Sequence, residues 1–350
     1  MKGRKFLTSL FASICTLLAG CGNSMNQNTL EFKWYATECG PEHYPMEIRQ
    51  GTFFYKDRND GLYIPSGATL HDGWGEGVSL HVTGPERKPL PDRVEVYFYS
   101  YAENQFYRGK FDLPYERIKH LFQKGFEDDP KKPHYDAIMI GVAPGGAVTV
   151  WLDGRRVTEV FFGYAEKINI DVGKGLDVPL VSKSEADEYT NQVLIDSLTE
   201  DELENLKKNG IPFGTWARYR NSYNWAPLFK NGKISPETQI ISQFLNGESY
   251  RIPALPTDQT ENPSRPLPRE LSFSVSVDNE LIHYTIKFEE FELMEAFEKL
   301  GTEGEKVYIE FDAQSPVTNM KIRVYNEKQL KSPKEIKEFI ELKKFKINPD

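Results

Sequence analysis

Cysteine is scarce in this 350-residue chain, which carries only Cys15, Cys21 and Cys39. That excludes the dense disulfide framework of small secreted domains. Long apolar runs are missing too: the stretch at residues 6–18 is 13 residues long, and a membrane-crossing helix needs about 20. No dense cluster of Lys and Arg occurs, and the formal net charge is −9. A polyanion needs a basic face, so nucleic acid is excluded as an expected partner. Catalytic signatures are also lacking: there is no Gly-x-Ser-x-Gly elbow, no His-Glu-x-x-His, no Cys-x-x-Cys and no phosphate loop. A pair of carboxylates working as acid and base leaves no spacing signature. We therefore assign no catalytic residue and expect no cofactor and no metal.

What is present begins with an export signal. Lys2, Arg4 and Lys5 precede the apolar run, and small residues follow it. The end, Leu18-Ala19-Gly20-Cys21, resembles the lipobox of bacterial lipoproteins. That resemblance implies cleavage before Cys21, diacylglycerol on its thiol and a further acyl chain such as palmitate on its new amino group. Gly22 and Asn23 follow where an aspartate would retain the protein at the inner membrane. The expected address is therefore the outer membrane, facing the periplasm. Each buried methylene contributes about 0.8 kcal/mol, so such an anchor is effectively permanent. Loss of residues 1–20 removes three positive charges and no negative ones, leaving an acidic body of net charge −12. Its lone Cys39 is expected to be buried and inert.

Residues 21–29 read as a tether. Alternation predicts strands at 30–35 and 44–55 and a hairpin of 93–101 with 105–111. Asp112 and Pro114 then open an amphipathic helix, with Ile118, Leu121 and Phe122 on one face, that ends at Gly125. Strands at 135–142 and 147–152 are joined by Ala143-Pro144-Gly145-Gly146, which we read as a hairpin turn rather than an anion-binding nest. A further strand covers 157–162. Helices are expected at 185–194 and 199–208, the latter carrying a Thr199-x-x-Glu202 capping box and a Gly210 stop. A last helix is expected from Ser332-Pro333, with Ile336, Phe339 and Ile340 as its apolar face.

Two short motifs recur at one spacing. Pro89-Leu90-Pro91 returns as Pro266-Leu267-Pro268, and Lys110-Phe111-Asp112 as Lys287-Phe288-Glu289, each 177 residues later. This suggests an internal duplication. The fold class expected is α+β, with mainly antiparallel sheets, a few helices and two related hairpin-helix-hairpin units. Residues 30–256 would form the first domain, 257–268 a Pro- and Thr-rich linker, and 269–350 the second.

Two regions supply candidate binding residues. In the glycine-rich stretch from His71 to His81, His71 or Asp72 could bond a ligand and Trp74 could stack on it. The alternative is a connector with a packed Trp. In the stretch from Ile211 to Trp225, a helix from Trp216 would place Trp216, Tyr219 and Tyr223 on one buried face. Arg218, Arg220 and Asn224 would then be turned toward a partner.

Tyr44-Pro45-Met46-Glu47, the segment from Gly141 to Val148, Glu159-Val160-Phe161-Phe162-Gly163 and Gly210-Ile211-Pro212-Phe213-Gly214-x-Trp216 together resemble the bacterial lipoproteins grouped as domain of unknown function 2931. The resemblance spans roughly residues 32–229. It implies a Gram-negative envelope protein and supplies no catalytic residue. Three function classes follow: a non-catalytic module that binds a protein partner, for example an immunity protein against a toxin delivered to the periplasm; an envelope assembly factor; and a carbohydrate-binding or hydrolytic envelope protein using the His71–His81 region.

Overall fold

The computed structural model describes residues 30–350 apart from 80–82, 126–134, 181, 236, 256–263, 278–279, 302–303, 315–318, 327, 329, 333–334, 337–339 and 350. The signal, Cys21 and the tether lie outside the described residues, as does His81. The fold is α+β, built of mainly antiparallel sheets and, among the described residues, six α-helices: α1 Tyr115–Lys124, α2 Val172–Leu176, α3 Lys183–Ser197, α4 Glu200–Asn209, α5 Thr215–Arg218 and α6 Glu290–Leu300.

Each half carries two facing sheets. In the first half, one sheet runs Thr158–Tyr164, Ala147–Asp153, Ala137–Ala143, Tyr35–Cys39, the last pair being parallel. Its companion runs Glu166–Ile168, Gln105–Asp112, Pro91–Ser100, Met46–Tyr55, Gly61–Tyr63. The second half repeats this layout. Trp225–Lys230 lies parallel to Val307–Gln314, which is followed by Asn319–Asn326 and Ile340–Glu341. The companion sheet runs Ser249–Pro253, Gln239–Phe244, Pro268–Val277, Glu280–Phe288, Phe345–Pro349. Pro91–Ser100 and Pro268–Val277 begin and end 177 residues apart, so the spacing of the short motifs extends over a whole strand. A helix follows the hairpin in both halves, α1 in one and α6 in the other.

The sequence Ala137–Ala143 is apolar at every position, as a strand covered on both faces must be. Ile138, Ile140 and Val142 join the first half's own core with Val94, Val96, Phe98 and the Ile118 and Phe122 of α1. Met139 and Ala143, on the other face, join the second core with Phe273, Ile309 and Phe297. One sheet is thus shared, and the two halves are packed through it.

The Ala143–Ala147 connection is a hairpin turn, with Ala143 opposite Ala147 and Gly145 and Gly146 at φ 76° and 82°. Its half-buried backbone donor is used internally, since Gly145 N donates to Glu103 Oε2 at 2.9 Å. The Thr199/Glu202 capping box is formed as expected. Cys39 is fully buried and receives Gly75 N–H on its sulfur at 3.4 Å.

Three expectations are corrected. The strand at 30–35 is broken at Trp34 into Glu31–Lys33 and Tyr35–Cys39, because the indole turns inward to donate to Pro89 O. The last helix is replaced, among the described residues, by short strands at Leu330–Ser332, Glu335–Ile336 and Ile340–Glu341. Ile340 pairs with Val324, so sheet completion overrides the local helical pattern. A division at 257–268 would part strands that are hydrogen-bonded, since Gln239–Phe244 pairs with Pro268–Val277. The second set of sheets instead begins at Trp225.

Candidate functional site

The glycine-rich stretch is a joint between the halves. Trp74 is 5% exposed, with its ring edge-on to Trp151 at 5.0 Å and tilted against Trp216 at 6.5 Å. Arg269, from the second half, donates to Trp74 O at 3.1 Å and to Gln243 Oε1 at 2.8 Å, and pairs with Glu76. Gly75 passes so close to Gly247 that an added Cβ would lie 2.4 Å from the Gly247 carbonyl oxygen. Trp74 therefore has no face free for stacking. His71 is partly buried, and Asp72 is exposed on the rim of the cleft described next.

The structure does not gather the basic candidates with them. The helix expected from Trp216 through Tyr223 is the single turn α5, and Tyr223 instead bridges to Arg265. Trp216 and Tyr219 are core residues, as expected. Arg218 pairs with Glu298 at 2.7 Å. Arg220 pairs with Glu159 of the first half at 2.6 Å and lies over the Phe162 ring. Asn224 is half-buried, and its carbonyl accepts Val307 N–H at 2.9 Å, a bond beside the parallel strand pair of the second half.

A cleft of about 1010 Å³ does gather residues that are remote in sequence. Its walls are the loop carrying Glu42 and His43, Asp72 and Glu76 of the joint, α4, the first turns of α6, and Lys344–Lys346. Eight carboxylates line it: Glu42, Asp72, Glu76, Glu202, Glu289, Glu290, Glu292 and Glu295. Opposed to them are His43, Arg269 (already paired with Glu76), Lys287, Lys344 and Lys346.

Local rules place these acids. Glu289 caps α6, its Oε2 accepting Glu292 N–H at 2.6 Å, and negative charge at a helix start is favoured by the macrodipole. Glu292 in turn accepts the N–H groups of Lys343 and Lys344, at 3.1 and 2.8 Å, tying the C-terminal segment to the helix. Burial raises the Glu290 carboxyl above its ordinary range, against the hydrogen bond from Tyr219, and burial likewise raises Tyr219. Tyr44 is pushed up to about 12 by burial and by Glu290.

At the rim, His43 Nδ1 lies 3.0 Å from Glu202 Oε1. Glu202 Oε2 accepts both the N–H and the hydroxyl of Thr199, each at 2.8 Å, so the capping box also orients this carboxylate toward the cleft. These bonds hold the Glu202 carboxyl below its ordinary value, against the opposing effect of burial. Glu42, His43 and Glu202 bring their ligand atoms within 4.8 Å of one another. Sequence reasoning read Glu202 only as a helix start. His43 was legible only as the neighbour of the Tyr44-Pro45-Met46-Glu47 motif.

No curated protein and no solved structure matches the chain. A family model described as a protein of unknown function, DUF2931, matches residues 22–214 and so ends just before the second half's first strand at Trp225. With more than half its length matched, the chain belongs to the DUF2931 family.

Proposed function

We propose that this protein is an exported lipoprotein, anchored through Cys21 to the outer membrane and facing the periplasm, whose body captures a basic protein partner without catalysis. The observation that carries this reading is the cleft of about 1010 Å³ with eight carboxylates on its walls. An acidic cleft focuses its field and raises the encounter rate with a cationic partner. A tethered body of this kind suits an immunity protein that neutralises a toxin entering the periplasm. The carbohydrate-binding alternative draws less support, because Trp74 is buried between two other tryptophans.

The test is crosslinking in native membranes, followed by purification and mass spectrometry of the partners and of the N-terminal peptide. One stoichiometric basic partner, together with an acylated Cys21, is the expected outcome. Its binding should weaken at least tenfold in Glu289→Gln/Glu295→Gln and with rising salt. A partner held equally well by that variant would place capture elsewhere, and an unmodified N-terminus would remove the anchoring part of the proposal.

A further inference from the structure

We propose that Glu42, His43 and Glu202 form a binding site for one divalent transition-metal ion, with zinc as the ion whose donor preference fits. This departs from the expectation, drawn from the sequence, that no metal is bound. It stands independently of protein capture by the cleft.

The geometry carries the argument. Two donor atoms each about 2.1 Å from a shared ion stand roughly 3.4 Å apart at the tetrahedral angle found around zinc. His43 Nδ1 and Glu202 Oε1, hydrogen-bonded at 3.0 Å, need to part by only about 0.4 Å for the ion to replace the shared proton. The Glu42 carboxylate, within 4.8 Å of both, needs a shift of up to about 1.4 Å to complete the set, which an exposed glutamate side chain can make. Glu42 makes no hydrogen bond or ion pair among the described residues, so recruiting it breaks nothing.

The donor chemistry selects the class of ion. An imidazole nitrogen suits zinc, copper, nickel or iron, whereas calcium and magnesium take all-oxygen shells. The imidazole separates this group from the other carboxylates of the cleft, which alone would attract only a diffuse counterion cloud. Glu202 also has the outer support that metal ligands require: its second oxygen is held by Thr199 N and Oγ1. Glu42 and Glu202 place two carboxylates around one imidazole, and a divalent cation neutralises the repulsion that remains. Three protein ligands leave a fourth position, and the cleft is where a water or a partner's side chain would supply it.

The experiment uses the mature chain, stripped with a chelator and titrated with zinc chloride by calorimetry and thermal unfolding. Magnesium and calcium chloride serve as comparison ions. One equivalent of zinc should bind saturably and raise the melting temperature, with affinity at least tenfold weaker in His43→Ala and in Glu202→Gln. His43 is exposed, and Gln keeps the acceptor for the capping box, so both variants should fold, as far-UV circular dichroism will check. Cobalt substitution should give a visible spectrum of nitrogen and oxygen ligation that His43→Ala abolishes. Unchanged zinc affinity in His43→Ala, or equal binding of magnesium and calcium, would overturn the proposal.

Discussion

Trp34 and Trp225 occupy equivalent places in the two halves. Each is about 1% exposed or less, and each donates its indole N–H to the first proline of a Pro-Leu-Pro motif: Trp34 to Pro89 O at 3.2 Å and Trp225 to Pro266 O at 3.0 Å. Each ring also carries a cation from the residue just before that proline, Lys88 in one half and Arg265 in the other. The equal spacing seen in the sequence thus marks a repeated interaction.

Substituting either tryptophan by phenylalanine should cost about 1–2 kcal/mol, from a lost buried hydrogen bond with most of the packing kept. Alanine at either position should cost about 3–5 kcal/mol. Chemical denaturation of the four variants checks this. A large difference between Trp34→Phe and Trp225→Phe would show that the halves do not use the motif alike.

Gly75→Ala should destabilise the protein by at least about 2 kcal/mol. Its φ is +86°, and the added Cβ would meet the Gly247 backbone, which no side-chain rotation relieves. The loss should appear as weakened packing between the halves, read as new protease sensitivity or increased amide exchange along residues 71–79 and 245–248.

Glu310 is fully buried and accepts from Lys230 and Arg323, both at 2.7 Å, and from Tyr325 at 3.1 Å. Removing Glu310 deprives Lys230 and the buried Tyr325 of their acceptor, while Arg323 keeps Asp312 at 3.3 Å. Glu310→Ala should therefore cost about 3–5 kcal/mol in denaturant unfolding.

Asp153 provides a pH signature. Burial, and then the neighbouring Asp136, push its carboxyl up to about 6 from an ordinary 3.8. The folded protein therefore holds a proton that the unfolded chain has released, and this contribution is lost as pH rises from about 4 through 6. Asp153→Asn should flatten stability over that range and raise it at neutral pH by about 1–3 kcal/mol. Urea midpoints at pH 4, 5, 6 and 7 check the sign.

Cys39, wholly buried, has its thiol pushed up to about 12 by burial. Maleimide should leave it unmodified in the native protein and label it at the rate of unfolding. Rapid native labelling would contradict the packing around it.

Legibility in the sequence followed the range of the forces involved. The Ala143–Ala147 turn and the α4 cap rest on neighbours within a few residues, and both were readable. The segment at 332–340 has a helical apolar pattern, yet Ile340 joins a sheet edge whose partner, Val324, belongs to another strand. The Pro-rich composition at 257–268 suggested a boundary because the pairing of Gln239–Phe244 with Pro268–Val277 across it leaves no local trace. The cleft was invisible for the same reason: its walls come from residues near 42, 72, 202, 290 and 344. The stretch from Gly73 to Gly77 carries a ligand-site pattern because close backbone approach needs glycine whatever is approached. Here the neighbour is Gly247.

The parallel pairings bear on how the chain reaches its native state. Tyr35 lies opposite Ala137 and Trp225 opposite Val307. The opening strand of each half must therefore wait for roughly 80–100 further residues before it can be zipped into place, and it pays the loop-closure entropy of that span first. Local hairpins and α1 can form early, but neither sheet with a parallel pair can close early. Assembly is thus paced by the arrival of distant partners, and a chain interrupted before Ala137 would leave Tyr35–Cys39 as an open edge seeking another strand.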